Sequence, residues 1–141
     1  MFAIYIKIDH LKGINKYAGF WPRLLAHNID LLPILLLFYG VSYIVPSSDY
    51  DYLIISGIYF GYHIFFEASG MQATPGKKWA KIHVDSLKPG TPRFIQSMIR
   101  NISKVLSLLL FFGGFVLIFF NSQRRALHDY IGGTVVLFDE D

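Results

Sequence analysis

The chain has 141 residues, 53% of them apolar and only 16% Asp, Glu, Lys or Arg, against roughly 25% charged in soluble domains. That length holds one domain and excludes a large catalytic domain beside a membrane part, and the lack of cysteine excludes disulfides, thiolate catalysis and cysteine-based metal sites. The net charge is only +3, but all 13 Lys and Arg lie in residues 7–23, 77–104 or 124–125. Such clustering tracks the edges of a membrane and not a nucleic-acid face.

Residues 1–18 read as a retained cytoplasmic arm. They carry three lysines and no compact apolar core followed by a small-residue cleavage site. Within the arm, "IYIKI" (4–8) alternates like a short strand or a frayed lead-in. Residues 19–141 read as a single membrane domain. Its first helix is expected over about 21–45: Leu24 to Ile44 alone gives 21 residues, roughly 31 Å of helix, which spans a hydrocarbon core. Trp21 and Tyr43 stand near its ends, where interfacial aromatics belong. The acidic loop "VPSSDYD" leads to a second helix over about 50–68, antiparallel to the first. There Gly57 and Gly61 suit close approach of a partner helix, or are chance glycines.

"KWAKIHV" alternates and "KPG" reads as a turn. A third helical element follows over about 92–120, with Thr91 as its N-cap and Pro92 at its first position. If this element crossed once, Arg124 and Arg125 would land opposite the other cations. A bend at Gly113-Gly114 keeps all of them on one side. The bend also lets the terminal strand, about 134–139, pair with "KIHVDSL", since a lone strand leaves its ladder groups unpaired. The expected fold is an α-helical integral membrane protein with two transmembrane helices, a third re-entrant or hairpin element, and a small cytoplasmic β-sheet. It is expected to be multi-pass in the inner (cytoplasmic) membrane, with the N-terminus inside.

The candidate functional residues are polar groups set into apolar helices. Arg23, His27 and Asp30 are spaced four and three apart and share one helix face. Arg23 reaches the inner headgroups, but Asp30 lies two turns deeper. Pro33 frees the carbonyl of Ile29 beside it. An acid there suits either a cation or proton site, or an intramembrane ion pair that locks helices. Tyr59, His63 and Glu67, each four apart, make a second polar stripe. Arg100 and Lys104 face anionic headgroups or pair with Glu67 or Asp129. His128-Asp129 anchors the return of the chain after Arg124 and Arg125. "GMQATPGKK" is not a phosphate loop: its glycines are one residue too far apart, and Lys78 stands where Ser or Thr is needed. It reads as a basic turn at the membrane surface, with Lys77 among its cations. No metal, cofactor or enzymatic reaction is expected. The histidines lack a compact ligand pattern, and no nucleophile elbow or zinc-protease motif is present.

Together these residues resemble the RDD family, small membrane proteins named for one arginine and two aspartates. "GFWPRLLAHNID" supplies Arg23 and Asp30, Ala73 to Lys77 match an "ATPGK" signature, and "RRALHDYIGGTVVLF" makes Asp129 the second aspartate. The resemblance spans roughly residues 17–138. It implies a membrane protein of mostly unassigned activity, with sodium or lithium/proton antiport described for at least one member.

Two functions follow as expectations. One is a cation/proton translocator, oligomeric in the membrane, with Asp30 binding sodium, lithium or a proton. In it His27, His63 and Glu67 would tune the site and Arg23 would neutralise the resting acid. The other is a non-transporting scaffold or accessory subunit, in which Arg23, Asp30 and Asp129 hold the helices together. Both have the bilayer, with its anionic headgroups, as their partner.

Overall fold

The structure, a computed structural model, describes residues 16–45, 49–88, 93–110 and 113–139. The strand-like 4–8, Thr91 and Pro92, and the end of the "KPG" turn fall outside the described residues.

Helix α1, Phe20–Ile44, is 25 residues long, ten of them leucine or isoleucine. Pro22 lies in its first turn, where the missing N–H has no helical acceptor to lose. Among the described residues it is the one helix long and apolar enough to cross a membrane. Trp21 and Tyr43 are both well exposed on its surface.

Two of the expected spans do not hold. Helix α2, Asp51–Ala68, has 18 residues, but Asp51, Glu67, His63 and its tyrosines dilute the apolar content below that of a span. The third element is two helices: α4, Arg93–Leu109, and α5, Gly113–Phe120. Eight residues of α5 rise only about 12 Å. The two-span-plus-third-element fold and the multi-pass placement are therefore corrected to a single candidate span. At the break the Gly113 N–H donates to the Leu110 carbonyl at 2.8 Å. A β-carbon on Gly114 would come within 2.6 Å of Ser107 Oγ, so glycine is what lets α5 lie back against α4. Gly57 and Gly61 have open space beside them and mark no helix contact within the described residues.

The remaining elements are short. Helix α3 covers Pro75–Trp79, strand β1 Ile82–Ser86, helix α6 Leu127–Gly132, and strand β2 Thr134–Phe138. β1 and β2 pair antiparallel, Ile82 opposite Phe138 and Ser86 opposite Thr134. The far edge of β2 is covered by residues 16–18: Ala18 N–H donates to the Val136 carbonyl and Phe138 N–H to that of Lys16, each at 2.9 Å. Satisfied on both edges, β2 buries Val135 and Val136. Val136 packs with Ala18, Ala26, Ile82 and Val84 in a small core beneath α1. Gly133, at φ 66°, turns the chain from α6 into β2 in the left-handed conformation that glycine adopts without strain.

The amphipathicity of α4 is inside out. Gln96, Ser97, Arg100, Asn101, Ser103 and Ser107 are buried, while Phe94, Ile95, Ile99, Ile102, Val105 and Leu106 face outward. In water such a face would be a large exposed apolar patch. Against lipid it is the stable orientation, because the apolar side meets acyl chains and the polar side finds partners inside. The outer surface of α1 has the same apolar character, and the two together define a membrane-associated protein.

Candidate functional site: a buried ion network beside a cavity

The network starts on α1. Arg23 donates through Nη1 to Asp129 Oδ2, through Nε to the Ala18 carbonyl at 3.1 Å, and through Nη2 to the Arg124 carbonyl at 2.7 Å. Asp129 sits in the first turn of α6, and its Oδ2 also accepts from the Ala126 N–H at 3.1 Å. A carboxylate at that place caps the helix and suits its positive end. Oδ1 of Asp129 accepts from Arg100 Nε at 2.8 Å. Arg100 then reaches on with Nη1 to Glu67 Oε2 at 2.6 Å. The guanidinium fork thus joins α2, α4 and α6 in a way a single ammonium could not.

Glu67 closes the chain. Its Oε1 accepts from Lys77 Nζ, and its Oε2 from Asn101 Nδ2 at 3.0 Å and Ser97 Oγ at 3.4 Å. Lys104 donates to Asn101 Oδ1 at 2.6 Å and lies 3.8 Å from Glu67 Oε1. Burial alone would raise the Asp129 pKa, but Arg23 and Arg100 hold it below the usual carboxylate range. Burial is also the largest influence on Lys77, bringing its pKa down to about 7 against the opposing pull of Glu67.

Asp30 does not belong to this chain. It is 1% exposed, and its donors are neutral: Tyr62 Oη at 2.9 Å and the Gly76 N–H at 2.8 Å on Oδ1, and Thr74 Oγ1 at 2.5 Å on Oδ2. "ATPGK" therefore has a physical task at each position. Ala73 is fully buried. Thr74 caps α3 by accepting from the Lys77 N–H, and Pro75 opens that helix. Gly76 must lack a side chain, since a β-carbon would run into the Ala26 carbonyl and the Asp30 carboxylate. Lys77 crosses to Glu67.

Several expectations change as a result. Arg23 and Asp30 share a helix face, yet the arginine neutralises Asp129. Lys77 is buried in an ion pair and not part of a surface turn. Of the two roles open to Arg100, pairing wins, and with both acids at once. Arg125 donates to the Thr134 and Asp129 carbonyls at 3.0 and 3.1 Å and covers the Tyr130 ring, steadying the α6–β2 turn. The partners missed by sequence reasoning are Tyr62, Thr74, Ser97 and Asn101. Only Thr74 carried a signal, as a Thr-Pro pair that fits a helix start.

Beside the network lies a cavity of about 440 Å³. Arg23, Lys77, Arg100 and Lys104 line it, with His27, Asp30 and His63. His63 is 2% exposed, and neither of its ring nitrogens has a hydrogen-bond partner among the described residues. Its Nδ1 stands 4.0 Å from Glu67 Oε1, and its ring lies in edge contact with Tyr59, the centroids 4.7 Å apart. Ser107, His128 and Asp129 fall in the order of a hydrolase triad, but the order is deceptive. Ser107 bonds back to the Ser103 carbonyl, and both Asp129 oxygens are held by arginines. Among the described residues no group of three His, Cys, Asp or Glu could hold a metal ion.

Fold and site together define a small membrane protein whose helices are pinned by a buried Arg/Asp/Glu network. The chain belongs to the RDD family, whose model matches residues 17–133. It is 28% identical, over 154 aligned positions, to an uncharacterized protein, YxaI, of Bacillus subtilis (strain 168). That alignment covers 89% of this chain and 99% of the relative. No solved structure matches it.

Proposed function

We propose that the chain is a membrane scaffold or accessory subunit in which the Arg/Asp/Glu network is structural. The observation that supports this reading is the occupancy of the carboxylates. Both oxygens of Asp30, of Glu67 and of Asp129 already accept from donors fixed by the fold. Cation binding needs oxygen ligands turned toward the ion. A sodium or lithium ion at Asp30 would compete with Tyr62, Thr74 and the Gly76 amide for its charge and weaken the anchor of α3 to α1.

The competing reading is a sodium or lithium/proton antiporter centred on Asp30. Proteoliposomes carrying the native protein and Asp30→Asn separate the two. The scaffold reading expects no ion-driven proton flux from the native protein under an imposed gradient, and a lower melting temperature in detergent for the variant. Sodium- or lithium-driven flux that Asp30→Asn abolishes, with its melting temperature unchanged, overturns it.

A further inference from the structure

We infer that the cavity between α1, α2, α4 and α5 is a binding site for an anionic amphiphile, a molecule with a phosphate or carboxylate head and an acyl tail. Its two ends differ in chemistry. Phe20, Leu24, Phe60, Val105, Phe115 and Ile118 form an apolar wall able to take a hydrocarbon chain. The polar end is lined by Arg23, Lys77, Arg100 and Lys104 with Asp30 as its carboxylate, while Glu67 and Asp129, outside the lining, hold Arg23, Lys77 and Arg100 in ion pairs and leave Lys104 without a close one. Cations outnumber the lining carboxylate, so that end of the cavity favours an anion.

Lys104 is the cation with capacity to spare. Its contacts are the Asn101 side-chain oxygen and a long approach to Glu67, which leaves ammonium protons for a further acceptor. His63 supplies the independent observation. A buried imidazole with both nitrogens unmatched is costly to leave so, and a ligand head accepting its N–H removes part of that cost. At about 440 Å³ the space falls within the range of small-molecule sites and far exceeds that of an isolated water. The site shares Arg23, Lys77 and Arg100 with the carboxylate network, but those ion pairs are made without a ligand, so failure of binding leaves the structural role untouched.

The test is equilibrium binding of radiolabelled dodecyl phosphate to the full chain in phosphatidylcholine nanodiscs, corrected with empty nanodiscs. Inorganic phosphate and dodecanol serve as competitors. Saturable binding at one molecule per chain is expected, with each competitor at least about tenfold weaker, because one lacks the tail and the other the charge. Lys104→Gln keeps a donor for Asn101, and His63→Phe keeps the ring while removing the unmatched nitrogens. Each is expected to weaken dodecyl phosphate about tenfold while the melting temperature stays level or rises. Non-saturable binding, equal competition by dodecanol or by inorganic phosphate, or full affinity in both variants overturns the proposal.

Discussion

The Asp30 carboxylate accepts the backbone N–H of Gly76 at 2.8 Å, joining α1 to the start of α3 across 46 positions of sequence. No side chain fits between them. A β-carbon at Gly76 would stand 2.8 Å from the Asp30 carboxyl carbon and would strike the Ala26 carbonyl as well. Gly76→Ala is therefore expected to push α3 from α1 and destabilise the protein by about 1–3 kcal/mol, as overpacking does elsewhere. A melting temperature in detergent equal to that of the native protein would show that α3 is free to shift.

Asp30→Asn tests the same joint from the acid's side. Asparagine keeps one acceptor oxygen and turns an NH₂ toward groups that are themselves donors. One of Tyr62, Thr74 and the Gly76 amide is thereby left without a partner. The expected loss is about 1–3 kcal/mol. Thr74→Val, which removes a donor and a helix cap in one step, should lose a comparable amount. Thermal or urea denaturation of both variants and of the double variant checks this. Losses that simply add would show that the two residues do not act on one another.

Arg100 bridges two acids, so its removal leaves two buried carboxylates short of a partner. Arg100→Met is expected to cost about 3–5 kcal/mol, the usual consequence of breaking a buried ion pair from one side. Arg100→Lys should recover only part of this, since one ammonium cannot span both Glu67 and Asp129. Denaturation midpoints that place Arg100→Lys level with the native protein would contradict the bridging role.

Much of this arrangement was legible in the sequence, and the rest was hidden for physical reasons. Periodicity correctly put Arg23, His27 and Asp30 on one face, and all three line the same cavity. "TVVLF" needed a strand partner and found it in "KIHVDSL". Periodicity cannot name a partner on another element, however. Arg23 reaches Asp129, 106 positions away, in preference to the acid two turns along its own helix. Lys77 looked like a headgroup contact because lysines usually are, and only the position of Glu67 explains its burial. Which side of α4 faces inward depends on the acids of α2 and α6, which its own sequence does not name. The counting of spans failed because the apolar runs were read without weighing the polar residues that dilute α2 or the break that splits the third element into α4 and α5.

Burial of His128 is expected to make the fold sensitive to acid. Burial against Phe115 and α4 brings its pKa down to about 3, an effect that Arg100, Lys104 and Arg23 reinforce and neighbouring Asp129 opposes. The unfolded chain, with an ordinary histidine near 6.5, binds more protons than the folded chain between those values. Stability from this residue is therefore fully present above about pH 6.5 and falls as the pH drops toward 3. Melting temperatures taken from pH 7 to pH 4 should decline less steeply for His128→Phe than for the native protein. Parallel curves would place the acid-sensitive group elsewhere.

The outward apolar face of α4 makes the last prediction, because it fixes where that helix meets the bilayer. Ile102 is 56% exposed on a helix whose opposite side holds Arg100 and Asn101. If the face lies against acyl chains, a tryptophan placed there is within reach of lipid-borne quenchers. The native tryptophans, Trp21 and Trp79, are both on the surface and can be replaced by phenylalanine to leave a silent background. In that background Ile102→Trp, reconstituted into vesicles with brominated acyl chains, is expected to lose most of its fluorescence and to show a blue-shifted emission. A water-soluble quencher such as iodide should have little effect on it. Strong iodide quenching with no response to bromine would mean that the face meets water, and the inside-out pattern of α4 would then call for a protein partner to cover it.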